Sequence, residues 1–177
     1  MVLLCFGDSN TWGFDPRLPL GGRYETPWPK LLADLTGHAV LNCGENGRTI
    51  PHSFAHVALL HRLVNETRPD KLLIMLGTND ILSLFPGDPA AVGNRMERLL
   101  THLRETFSSL SILLLAPPPV EIPVDSDGLA EVYAGIARRL EIDFVDTNQW
   151  NIPLAYDGVH FTEEGHTIFA RQLRELL

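Results

Sequence analysis

The chain has 177 residues, 45% of them hydrophobic, with 14 Lys and Arg against 22 Asp and Glu and a formal net charge of −8. That size and balance predict one domain over 1–177, since no linker, repeat or low-complexity tract divides it. The acidic surplus, with no Lys/Arg run, argues against nucleic acid as a partner, and no apolar stretch approaches the roughly 20 residues of a membrane span.

The chain opens on a continuous apolar run at 2–6, which reads as a strand covered on both faces. It ends in Gly7-Asp8-Ser9-Asn10. A serine at a tight strand-to-helix turn presents its hydroxyl at the sheet edge, although turn and capping preferences alone also account for Asp and Ser there. Helical spacing follows at 28–35, and a second strand at 39–43. The loop after it, Asn42-Cys-Gly-Glu-Asn-Gly-Arg-Thr49, carries two glycines that can leave backbone N–H groups facing an anion. Its spacing matches neither phosphate-binding glycine motif, and a tight turn with positive φ remains the competing reading.

A helix is predicted at 54–64 and a third strand at 71–76, followed by Gly77-Thr78-Asn79-Asp80. Asn79 there can turn its amide toward the sheet edge and donate to an oxyanion, unless it merely caps a turn. Helix 92–107, strand 111–115, Pro117-Pro-Pro119, helix 129–140 and strand 143–146 come next. Asp157-Gly-Val-His160 then precedes a helix at 162–177, with Thr162 as N-cap and Glu163 and Glu164 in its first turn. A carboxylate three residues ahead of an imidazole can reach one ring nitrogen, fix the tautomer and leave the other nitrogen to take a proton.

Five strands alternating with helices predict an α/β fold, a three-layer α/β/α arrangement around a parallel, flavodoxin-like sheet. All four motifs directly follow strands, where such folds gather their reactive groups. Cys5 and Cys43 lie in strands, form no CxxC and read as buried structural thiols. His38, His52, His56, His61, His102 and His166 read as structural, and the His52/His56 pair lacks the companions of a zinc motif. No metal or organic cofactor is expected. The N-terminus has neither the basic nor the long apolar region of a secretion signal, so a cytoplasmic location is expected.

Together the four segments resemble the sequence blocks of the SGNH hydrolases, the GDSL esterase/lipase family. The resemblance assigns Ser9 as nucleophile, Gly44 as the block II glycine, Asn79 as the block III asparagine, and Asp157 and His160 as the remaining acid and base. It is strongest toward the bacterial arylesterase branch, on Cys5-Phe-Gly-Asp-Ser-Asn-Thr-Trp-Gly13, Gly47-Arg-Thr49, Ile74-Met-Leu-Gly-Thr-Asn-Asp80, Pro117-Pro-Pro119 and Asp157-Gly-Val-His-Phe161. Two departures stand out: Asn10 replaces the usual Leu of the motif, and the chain is short for that branch.

The resemblance implies a serine hydrolase of small carboxylic esters, short-acyl aryl esters first and acetylated carbohydrates second, with thioesters or lysophospholipids third. A homo-oligomer is left open. Trp12, Phe14, Trp28, Phe85 and Trp150 are candidates for the pocket wall, although aromatics at loop–helix junctions are more often core. The rival reading is a flavodoxin-like module binding phosphate or flavin, which leaves the Asp157–His160 spacing without a purpose.

Overall fold

A computed structural model describes residues 1–18, 20–84, 87–124 and 126–177. Among these residues five strands form one parallel sheet: β1 (Val2–Gly7), β4 (Ala39–Gly44), β5 (Lys71–Met75), β6 (Ser111–Ala116) and β7 (Asp143–Asp146). Their spatial order is β4-β1-β5-β6-β7, the doubly wound arrangement expected from the sequence. Two further strands, β2 (Phe14–Asp15) and β3 (Gly22–Arg23), pair antiparallel as a short ribbon beside the sheet.

The continuous apolar runs are sorted by the two-residue period of a strand. Leu3, Cys5, Leu73, Met75, Leu113 and Leu115 face one side, under α2 (Trp28–Thr36) and α7 (Glu163–Arg174). Leu4, Phe6, Leu72, Ile74, Ile112 and Leu114 face the other, under α3 (Phe54–Thr67), α5 (Pro89–Thr106) and α6 (Leu129–Leu140). Both faces of the inner strands β1, β5 and β6 are thus dry, which is why they show no polar alternation, while the edge strand β4 is partly exposed.

Caps explain where helices exceed their predicted limits. α5 begins before 92 because Asp88 Oδ1 accepts the Ala91 N–H at 2.9 Å and Pro89 occupies the first turn. α3 runs on to Thr67 and stops at Arg68, which turns left-handed at φ 45°. Thr162 caps α7 as predicted, accepting the Gly165 N–H at 3.0 Å.

Register sets where the loops leave the sheet. Gly7 lies opposite both Gly44 and Met75, so β1, β4 and β5 end level with one another. The chain turns directly into α1 (Ser9–Trp12) after β1 and, after Leu76 and Gly77, into α4 (Thr78–Ser83). Strand order reverses beside β1, the topological switch point where α/β sheets open a crevice.

Candidate active site

Ser9 opens α1, and the glycine two positions before it is obligatory. A Cβ on Gly7 would stand 2.0 Å from Thr11 Oγ1 and 3.0 Å from the Met75 carbonyl oxygen. Asp8 caps the turn by accepting the Asn10 N–H at 3.0 Å. Burial pushes the Asp8 carboxyl up to about 7 against the opposing Asn10 N–H and Arg48 charge.

Loop 155–161 approaches the same edge from the other end of the chain. Leu154 bridges Phe161, Ala155 N–H donates to the His160 carbonyl at 2.7 Å, and Gly158 turns at φ 67°. The Glu121 N–H donates to the Gly158 carbonyl at 2.7 Å, docking the loop on the segment after β6. So held, Asp157 Oδ1 accepts the Val159 and His160 N–H groups, each at 3.0 Å.

The remaining Asp157 oxygen, Oδ2, lies 2.7 Å from His160 Nδ1, and His160 Nε2 lies 3.0 Å from Ser9 Oγ. With the ring proton on Nδ1 donated to Asp157, Nε2 is free to accept the Ser9 hydroxyl proton. Burial would raise the Asp157 carboxyl, but the His160 and Val159 N–H groups and the His160 ring outweigh it and hold the group below its usual range. A carboxylate, an imidazole and a hydroxyl therefore stand in line, able to carry a proton off the hydroxyl and stabilise the imidazolium that results.

Asn79 sits in the first turn of α4, its Nδ2 donating to the Arg48 carbonyl at 3.0 Å. One amide hydrogen is thereby used and the second remains for another acceptor. Gly77 makes this turn possible at φ 130°, where a Cβ would meet the Tyr133 hydroxyl at 2.7 Å. That hydroxyl instead donates to the Leu76 carbonyl at 3.0 Å and anchors the strand end.

The expected anion-facing N–H of Gly44 needs correction. It donates to Asn42 Oδ1 at 2.9 Å, while Asn42 Nδ2 donates to the Thr11 carbonyl at 2.8 Å. Glycine is needed at 44 for proximity, since a Cβ would lie 2.1 Å from the Trp12 backbone nitrogen. Arg48, quoted in the sequence within Gly47-Arg-Thr49 but given no role there, braces the loop by donating to the Gly7 and Cys43 carbonyls, with its guanidinium 4.1 Å over the Phe6 ring.

The sequence pattern of the GDSL-like lipase/acylhydrolase family matches residues 5–168. The chain belongs to that family. It is accordingly a carboxylic ester hydrolase of the SGNH type. It is 27% identical to an arylesterase of Vibrio mimicus over 81% of this chain and 68% of that one. Among solved structures, a carbohydrate acetylesterase family member from Sinorhizobium meliloti superposes with a TM-score of 0.84 at 27% identity, covering 99% of this chain and 96% of that one. The native aryl esterase of M. smegmatis superposes with a TM-score of 0.81 at 26% identity, covering 99% and 97%.

The nominated aromatics divide in this acylhydrolase. Phe14, on β2, places its ring centroid 4.6 Å from that of His160, and Trp12 lies 6.5 Å from Phe14. Trp28 and Trp150 instead pack on Phe169 beneath the sheet, their apolar area better buried there than in a crevice wall. Phe85 lies outside the described residues. The histidines given a structural reading lie off the Ser9–His160 line: His61 and His102 approach at 3.0 Å between α3 and α5, and His166 is buried under α2. Among the described residues no group of three His, Cys, Asp or Glu has the geometry to hold a metal, and no helix is long and apolar enough to cross a membrane.

Proposed function

We propose that this hydrolase cleaves short-acyl esters, aryl esters foremost, through a Ser9–His160–Asp157 triad and an acyl-enzyme. The observation that carries this reading is the unbroken chain of 3.0 Å and 2.7 Å contacts from Ser9 Oγ through His160 to Asp157. Ser9 Oγ attacks the ester carbonyl carbon while His160 Nε2 takes its proton, and the carbonyl electron pair moves to oxygen. Asp157 stays ionised and offsets the charge of the imidazolium. Collapse of the tetrahedral intermediate breaks the bond to the alcohol oxygen, which leaves with the proton from His160. Water then attacks the acyl-enzyme by the same route, releasing the acid and restoring Ser9.

The backbone N–H of Ser9 and the Asn79 amide are the donors assigned to the oxyanion. Gly44 is left out because its N–H is already engaged with Asn42. One such donor typically contributes about 10²–10³ in turnover, or about 3–4 kcal/mol.

The Sinorhizobium acetylesterase likeness favours acetylated carbohydrates as the second substrate class. Turnover of p-nitrophenyl acetate by the Ser9→Ala variant tests the reading. The expected result is loss of turnover in a folded protein; hydrolysis at the parent rate would overturn it.

A further inference from the structure

Asn10, the residue that departs from the usual motif, follows Ser9 directly and is buried. Its side chain does not cap its own helix. It reaches across the sheet edge to the far end of the chain, where Nδ2 donates to the Val159 carbonyl at 3.1 Å and Oδ1 accepts the Phe161 N–H at 2.9 Å. These are the backbone groups on either side of His160. Asn10's own backbone N–H is meanwhile held by Asp8.

We propose that Asn10 is a positioning residue that clamps the backbone around His160 and thereby sets the distance from the imidazole to Ser9. The inference rests on the triad reading above and adds a residue to it. Ser9 and Asn10 are consecutive in one helical turn, so the nucleophile and the anchor of its base move as a unit. Any slip of loop 155–161 along the sheet edge that lengthens the 3.0 Å contact must first break the Asn10 pair.

Only a primary amide on a one-carbon stem fits. It supplies a donor to the carbonyl and an acceptor to the N–H in one plane. Aspartate keeps the acceptor but sets a second oxygen against the Val159 carbonyl. Leucine and alanine leave both backbone groups unpaired, and glutamine overreaches by a methylene. Misplacing a reacting group by about 1 Å can cost about 10² in rate.

The test compares Asn10→Asp and Asn10→Ala with Val64→Ala, a core truncation on α3 remote from the strand ends, which controls for lost stability. Each variant is melted and assayed on p-nitrophenyl acetate. Expected is a fall in kcat of about 10-fold for Asn10→Asp and about 100-fold for Asn10→Ala, with KM within about threefold. Val64→Ala should lower the melting temperature while leaving kcat near the parent value. A folded Asn10→Ala variant with parental kcat would overturn the clamp, as would a loss that Val64→Ala matches at equal destabilisation. Ser9→Ala, run alongside, separates the two ideas. If it is inactive, a parental Asn10→Ala rate refutes the clamp alone; if it keeps turnover, the triad falls and takes the clamp with it.

Discussion

Lowering the pH should draw stability out of this protein at a histidine that takes no part in the proposed chemistry, while the raised Asp8 carboxyl works in the opposite direction. His166 is fully buried on α7, its ring edge-on to Tyr24 at 5.1 Å and 5.4 Å from Phe161. Its Nδ1 accepts the Trp28 N–H at 3.3 Å, so the folded ring carries its proton on Nε2 and is neutral. Burial first, then the nearby charge of His160, depress its pKa to about 3. In the unfolded chain an imidazole titrates near ~6.5. Below that value the unfolded state binds a proton the folded state refuses, so this group's contribution to stability is whole above about pH 6.5 and is lost as pH falls toward 3. Between pH 7.5 and 5.0 this one group should remove about 2 kcal/mol, and by pH 4 about 3 kcal/mol. Urea unfolding followed by tryptophan fluorescence measures it in the parent and in His166→Asn, whose amide oxygen can still accept the Trp28 N–H. The variant should be the less stable at pH 7.5 through lost packing, but the gap should narrow by about 2 kcal/mol at pH 5.0 because asparagine has no proton to gain. A gap that stays constant across this range would refute the assignment.

Other outcomes follow from the site. Asn79→Ala should lower kcat by about 10²–10³ with little change in KM if, as proposed, its second amide hydrogen binds the oxyanion; steady-state kinetics with p-nitrophenyl acetate checks this. Gly44→Ala should destabilise by about 1–3 kcal/mol in urea, since its Cβ meets backbone of α1 rather than a yielding side chain. Asp157→Asn should leave the fold intact while lowering turnover by about 10⁴, because the amide no longer selects the His160 tautomer that accepts from Ser9.

The sheet was legible because each strand is a short apolar run closed by glycine or a turn residue, and 143–146 and 129–140 were read to the residue. β2 and β3 were not, since two-residue strands have no periodicity to detect. The same shortness hid α4, where Gly77-Thr78-Asn79-Asp80 reads as a turn until Ile81 closes on Gly77 at 2.9 Å. At the candidate site, Ser9, Asp157, His160 and Asn79 were singled out from residue chemistry and from their place after strands, and the structure brings the first three into one line of contacts. Gly44 was misread because spacing cannot tell a donor N–H from one consumed by Asn42 two residues earlier. Trp28 and Trp150 follow the core reading that large aromatics favour, Trp28 buried within the cluster and Trp150 packed against it. Asn10 was seen only as a departure, because its partners lie about 150 positions away in a loop whose approach no local pattern encodes.

Whether Ser9 is an activated nucleophile can be read in one measurement: intact-mass and peptide mapping after exposure to a fluorophosphonate. A single adduct on Ser9, abolished in His160→Ala, is the predicted result. An adduct on another residue, or none while ester hydrolysis proceeds, would contradict it.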